Sequence, residues 1–372
     1  MVIFWQTPVQ AILFFFIYSI TGVVPLIAAL YLLLRRGNAF AADVTPPLRL
    51  RRWAVSFFAV AALAHVWWFL FCVFSGDIRS MDDLFQSAGY WTAVVLDYVT
   101  LLPTTAGTLL SMLQDRRRPV WPVFAALMSL VAMGGVLMVW PNGLFMQIAT
   151  AYFFLLYVLF TVYVTLAVRQ YGRWLRDNYA DLERKEVWLT HVLSLVFVLL
   201  FILYVLVDIN TILLMFLLHF TQLALFVLLL WRVETLPTLD SFLTTEPSPK
   251  EKEASTVDLE QIERLLNEHC VATQLYLQHE LSLLQLAQTI GTNRSYLSQY
   301  FSRKSITYNT YINNLRINHF ISRYQELTAA GQNVVAQQLA SESGYRSYST
   351  FSLAFKQRIG KTVTAWMQNT DR

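Results

Sequence analysis

The chain has 372 residues, of which 56% are hydrophobic, 15% aromatic and 14% charged, with a formal net charge of +4. Soluble domains carry about 25% charged residues, so the composition excludes a wholly soluble protein. Its two cysteines, Cys72 and Cys270, lie far apart in differently composed regions, which excludes a disulfide or cysteine–zinc framework.

The charge deficit is local. The first Glu is Glu183 and the first Lys is Lys185, whereas the stretch beyond about residue 240 has an ordinary mixture. From the N-terminus, MVIFWQTPVQ has no basic residue before its apolar run, so it lacks a signal-peptide n-region and reads as a retained first span. Crossing about 30 Å of hydrocarbon takes roughly 20 apolar residues. Such segments recur at 10–34, 53–74, 88–113, 119–139, 143–168, 187–207 and 209–231. They are too long and too evenly apolar for barrel strands, so the first 234 residues read as a seven-helix transmembrane bundle.

Orientation follows from Lys and Arg in the short loops. Arg35, Arg36, Arg49, Arg51 and Arg52 fill the first loop, Arg116, Arg117 and Arg118 the third, and Arg169, Arg173, Arg176, Arg184 and Lys185 the fifth. The alternate loops offer Arg79 among Asp77, Asp82 and Asp83. This bias predicts the N-terminus outside and the C-terminal part in the cytoplasm, most simply across a bacterial inner membrane. Trp53, Trp121, Trp140 and Trp188 fall near predicted span ends, as an interfacial aromatic belt would.

Ionisable residues inside spans are costly and often functional. Here they are His65, Asp97, His191 and His219, of which His191 lies near the cytoplasmic interface. The other three fall at a similar depth, which predicts a polar cluster of Asp97 with His65, His219 or both. Two readings stand side by side: a sensing site for an external small-molecule or physical signal, and a buried hydrogen-bonded group that holds the bundle together.

After the last span, TLPTLDSFLTTEPSPKEKEAST (235–256) is rich in Thr, Ser, Pro and charge and reads as a flexible linker. Helical periodicity with solvated faces returns in 257–372, beginning with Leu259, Ile262, Leu265 and Leu266. Two lines in this tail are alike. LAQTIGTNRSYLSQYFSRK (286–304) and LASESGYRSYSTFSLAFKQRIGKT (339–362) each carry an Ala, three residues and a Gly: Ala287 with Gly291, and Ala340 with Gly344. Each continues with two apolar residues four apart, Leu297 and Phe301, then Phe351 and Phe355, and with basic residues behind them. The small Ala lets one helix approach the next, the Gly supplies positive φ in the turn, and the apolar pair anchors the second helix. That is the spacing of a helix-turn-helix, here in two copies joined by a helical stretch bearing Tyr311, Leu315, Phe320 and Tyr324.

Residues 257–367 resemble the DNA-binding domain of the AraC/XylS family of transcription regulators. Ala340, Gly344, Tyr345, Ser349, Phe351, Phe355, Lys356, Gly360 and Thr362 fall on that family's most diagnostic pattern. Ile306, Val363 and Met367 depart from it, standing where Gly, Pro and Arg are usual. The resemblance implies an all-helical domain whose two second helices enter the major groove of double-stranded promoter DNA. Carried over by position, the first reading face is Asn293, Arg294, Ser295, Ser298 and Gln299, and the second is Arg346, Ser347, Tyr348, Ser349 and Ser352. Arg303, Lys304, Lys356 and Arg358 stand at helix ends, where phosphate contact is expected. Eleven Lys and Arg against eight Asp and Glu in 257–372 give only a modest net charge of +3, which suits a protein already held at a lipid bilayer or one that binds as a dimer.

The whole sequence therefore predicts an all-α protein, with a polytopic seven-helix membrane domain ahead of a cytoplasmic unit holding two helix-turn-helix motifs. The expected function is a membrane-bound one-component transcription regulator. No catalytic or metal-ligating constellation is visible, so neither an enzyme nor a cofactor is expected. Signal transfer has two open routes, formation of a homodimer and repositioning of the linker. The competing readings are a transporter or channel with a regulatory domain, and a tail kept only for protein interaction. One acid and no Lys in the spans argues against ion-coupled transport.

Overall fold

The structure, a computed structural model, describes residues 8–35, 38–40, 44–74, 83, 86–183, 185–206, 212–239 and 259–370. Among them the chain is helical almost throughout, as the sequence predicts, and holds no strand beyond one isolated bridge between Tyr179 and Ser282. Of the expected features, Arg36, Asp77, Arg79, Asp82, Arg184 and residues 240–258 lie outside the described residues.

Among the described residues the long helices that come first are α1 (Pro8–Leu34), α2 (Leu48–Phe74), α3 (Ala88–Ser111), α4 (Trp121–Val139), α5 (Gly143–Asn178), α6 (Trp188–Leu206) and α7 (Ile212–Thr235). Six of these, α1 to α5 and α7, are long and apolar enough to cross a membrane. The remaining one, α6, has 19 residues, WLTHVLSLVFVLLFILYVL, where the sixth span is expected. Outward-facing Leu, Ile, Val and Phe on these helices, such as Ile12, Phe16, Val73 and Leu213, are surfaces suited to a lipid solvent rather than water. Where helices meet, small residues admit close approach. A Cβ on Gly107 of α3 would stand 2.3 Å from the Trp53 indole of α2, so only Gly lets that ring lie against the helix.

Proximity in space divides the chain into two compact units. One comprises Met1–Arg169 with Val187–Phe242, the other Gln170–Glu186 with Leu243–Arg372. The fold thus assigns the last turns of α5 and the loop after it to the C-terminal unit, whereas composition alone puts the boundary at 234. Helix α5 also runs ten residues beyond the 168 expected for its span, because Arg169–Asn178 keeps helix-forming residues with no Pro or Gly-rich break. The expected linker begins later than 235. Thr238 donates its backbone N–H to the Thr45 carbonyl at 2.9 Å, Leu239 donates to Gln114 Oε1 at 2.9 Å, and Leu236 is fully buried. Residues 235–239 therefore complete the first unit.

The C-terminal unit continues with α8 (Leu259–Leu266), a π-turn (Asn267–Val271), a 3-10 turn (Leu275–Leu277), α9 (Leu283–Thr289), α10 (Arg294–Arg303), α11 (Tyr308–Ala329), α12 (Ala336–Glu342), α13 (Tyr348–Ile359) and α14 (Val363–Thr370). It has two hydrophobic clusters. The first gathers Ile262, Leu266, Leu286, Leu297, Phe301, Tyr308 and Ile312; the second gathers Ile317, Phe320, Tyr324, Leu339, Phe351, Phe355 and Val363. Helix α11 serves both, giving its first half to one and its second half to the other.

Arg316 sits at the changeover between them. It is 1% exposed, donates from Nε to the Tyr276 carbonyl at 2.7 Å and from Nη2 to that of Gln278, and lies 5.5 Å from the centre of the Tyr345 ring. Burial works against its charge. A buried guanidinium is tolerated only when its donors are used, and here two carbonyls and an aromatic face use them.

Candidate nucleic-acid interface

Each stretch in which a helix-turn-helix is expected holds a pair of short helices. Ser282 and Gln285 form a capping box that starts α9, which satisfies two of the free N–H groups at its first turn. The chain then turns through Gly291 (φ +74°), with the Thr292 N–H bonding to the Ala287 carbonyl at 2.9 Å. The second pair repeats this. The chain turns after α12 through Gly344 (φ +89°), and the Tyr345 N–H bonds to the Ala340 carbonyl at 3.1 Å. The anchors behave as the spacing predicts: Leu297, Phe351 and Phe355 are fully buried and Phe301 is 3% exposed.

The copies differ by one residue. Ala287 and Gly291 match Ala340 and Gly344 at one spacing, but Leu297 and Phe301 match Phe351 and Phe355 at a spacing one residue longer. The additional residue falls in the second turn, so Arg346 precedes α13 instead of lying on it. The N-caps then correspond. Asn293 accepts the Tyr296 N–H at 2.8 Å and Ser347 accepts the Thr350 N–H at 3.3 Å. Both residues are among the DNA contacts that the resemblance leads one to expect, and both side chains are engaged in starting their helices.

The remaining face residues sort by exposure. Ser295, Ser298, Gln299 and Ser349 are exposed, Ser352 is half-buried, and Tyr348 leans its ring on Phe351 at 5.8 Å between centroids. Arg346 is exposed and paired with Glu280. Arg294 is half-buried, its Nε and Nη2 donating to Asn178 Oδ1 at 2.9 and 2.7 Å. At the helix ends Arg303 and Lys356 are exposed, and Lys304 pairs with Glu263 at 2.9 Å. Arg358, where phosphate contact is expected, is exposed and already bonded within the unit. It is held on α11 by the Asn314 carbonyl and by Asn318 Oδ1, because the end of α13 packs beside that helix.

Two residues of this surface escape the reading from sequence. Leu353 is 61% exposed on α13 and occupies the place that Gln299 holds on α10. The signal for it was present, since it lies four residues after Ser349 and so on the same face. Thr350 donates to Glu183 Oε2 at 3.1 Å, a partner far away in sequence that no local pattern announces.

The departure at Ile306 has a local answer. Helix α10 ends at Arg303, and the left-handed residue that Gly would supply moves one place earlier, to Ser305 (φ +54°). Ile306 is thereby released to pack on the first cluster. A left-handed L-residue costs about 1–2 kcal/mol, while Gly in its place adds chain entropy of about 0.4–1 kcal/mol to the unfolded state. Ser305→Gly should therefore stabilise the C-terminal unit by roughly 0.5 kcal/mol, read as a small rise in the denaturation midpoint. A fall would show that Ser305 is not strained.

In the first unit, the expected polar cluster divides. Asp97 accepts from Trp67 Nε1 at 3.1 Å and Trp68 Nε1 at 2.9 Å. His65 instead bonds the Ala61 carbonyl at 2.8 Å and Thr21 Oγ1 at 3.1 Å. His219 bonds the Met215 carbonyl at 2.8 Å, and both histidine rings flank that of Tyr18, at 4.9 and 6.0 Å between centroids. No Asp97–histidine bond forms because indole N–H groups on α2 meet the carboxylate first. Among the described residues no group of His, Cys, Asp and Glu is placed to hold a metal ion.

A helix-turn-helix domain family matches residues 286–369 of the chain, a stretch that reaches from α9 into α14. Comparison with curated proteins and with solved structures returns no match. The family match supports an AraC-type, DNA-binding reading of the C-terminal unit, which follows helices of membrane-spanning length and apolarity.

Proposed function

We propose that this chain is a membrane-bound one-component transcription regulator. Helices α1 to α7 form a seven-span domain in a bacterial inner membrane, with the N-terminus outside, and receive a small-molecule or physical signal. The cytoplasmic unit binds promoter DNA through both helix pairs, with no catalytic step and no cofactor. The observation that carries the reading is the family match at residues 286–369 on the same chain as six apolar helices of membrane length.

Helix α10 would present Ser295, Ser298 and Gln299 to base edges and α13 Ser349, Ser352 and Leu353. Gln and Ser bond base edges, and an exposed Leu suits a thymine methyl. Arg303 and Lys356 would meet phosphates. Helix α11, at 22 residues, is about 33 Å long, close to the roughly 34 Å between successive major-groove faces of a duplex.

Chromatin capture with the tagged full chain tests this. Wild type should enrich promoter fragments, and Arg294→Ala with Arg346→Ala should lose most of that enrichment. Absence of enrichment by the wild type would sink the regulator reading.

A further inference from the structure

Residues 170–186 follow the apolar part of α5 yet belong to the C-terminal unit, and their attachment there is specific. Asn178, 2% exposed, presents its Oδ1 to Nε and Nη2 of Arg294. Its own Nδ2 is fixed on the Trp174 carbonyl at 2.7 Å, which leaves the oxygen aimed at the guanidinium. Tyr179 forms the isolated bridge with Ser282, and the Ala180 N–H reaches the Leu281 carbonyl at 3.4 Å. Asn309 of α11 donates to the Tyr179 and Ala180 carbonyls, at 3.3 and 2.6 Å. Ala180 is 1% exposed and packs into the first cluster.

The same segment reaches the second helix pair. Glu183 accepts from Thr350 in the first turn of α13. Lys185 is buried, which lowers its pKa, and it lies within the electrostatic reach of Asp181, Glu280 and Arg346. One short stretch thus touches the first turn of α10 at Arg294 and the first turn of α13 at Thr350. The first turns of reading helices are the parts that approach base edges in a helix-turn-helix complex.

We propose that residues 170–186 are a docked intramolecular partner of the reading surface and compete with DNA for it. This rests on α10 and α13 being the DNA-reading helices. Asn178 takes from Arg294 the two donors that a guanine would use side by side, and Glu183 sets a carboxylate where a phosphate would otherwise lie. Docking and DNA binding are then mutually exclusive at Arg294, and release of the segment is the event that exposes both helices together.

The test uses the full chain in lipid nanodiscs and random-sequence duplex DNA at low salt. Asn178→Ala with Asn309→Ala removes the four side-chain hydrogen bonds that these two residues make across the docked contact and touches no residue assigned to DNA. It should tighten DNA binding about tenfold, and adding Arg294→Ala should reverse most of that gain. Unchanged affinity on undocking would overturn the competition.

A second arm reads docking without DNA. Glu183→Cys with Thr350→Cys, in a Cys72→Ala, Cys270→Ala background, should cross-link through a short cleavable thiol reagent. The locked chain should lose DNA binding and regain it on cleavage. A cross-link that does not form, or a locked chain that binds as well as the cleaved one, overturns the proposal. If the cross-link forms while no variant binds DNA, the DNA-binding reading itself fails and takes the competition with it, leaving the docking as a structural contact.

Discussion

Replacing Arg316 by Met should destabilise the C-terminal unit by about 3 kcal/mol. Met keeps the aliphatic stem and nearly the volume, so the loss is confined to the guanidinium. The Tyr276 and Gln278 carbonyls would lose their donor, and the Tyr345 face would lose its cation. An unsatisfied buried acceptor costs about 1–3 kcal/mol. Arg316→Lys should recover only part, because an ammonium lacks the planar fork that serves two carbonyls at once. Hydrogen exchange on the full chain checks this: amides of α11 and α13 should exchange faster in both variants, with Met the worse. Equal protection in wild type and Arg316→Met would show that the buried charge is dispensable.

The second large effect is expected at Gly344, which borders the same joint. A Cβ there would stand 2.8 Å from the Leu277 carbonyl oxygen and 3.0 Å from Arg316 Nε, at a φ of +89°. Gly344→Ala therefore meets both a left-handed backbone and a clash with main chain that cannot rotate away. The two together should cost about 3 kcal/mol, of which roughly 1–2 is the backbone term. Gly291, its counterpart in the first pair, has φ +74° and nothing within 4 Å of the added Cβ. Gly291→Ala should therefore cost only the backbone share, about 1 kcal/mol. Thermal denaturation of the two variants separates the contributions, and equal losses would refute the steric part. Because Gly344 and Arg316 meet neighbouring carbonyls of the same 3-10 turn, their substitutions should not be additive.

What the amino-acid pattern revealed, and what it hid, follow from range. The helix pairs were legible because their constraints are local. A positive φ demands Gly at 291 and 344, and a helix that packs on one side needs apolar anchors four apart at 297 and 301, 351 and 355. The apolar helices were legible because hydropathy sums over about 20 residues. Arg316 was not, since a basic residue on a polar helix reads as solvated until the 3-10 turn carrying Tyr276 is folded against it. Nor was the docking of Asn178, Tyr179 and Ala180, whose partners lie more than a hundred residues away. Asp97 was singled out as the one acid well inside a span and is half-buried, but depth along a helix says nothing of azimuth, and azimuth selects Trp67 and Trp68 over the histidines. The shift of the left-handed residue to Ser305 follows the same lesson at short range, because packing of Ile306 decides which residue turns.

Helix α11 has one more consequence. Both hydrophobic clusters take part of the same uninterrupted rod, so α10 and α13 are clamped to a common shaft. A tether between two binding modules lets each find its site within a cloud of separations; a shaft permits one separation and one angular phase. Each residue added to the shaft would advance the second reader by about 1.5 Å and turn it by about 100°. On the function proposed above, such a chain would measure its operator as a gauge measures a bore, accepting half-sites at one pitch and rejecting the same letters set a base pair closer or farther apart.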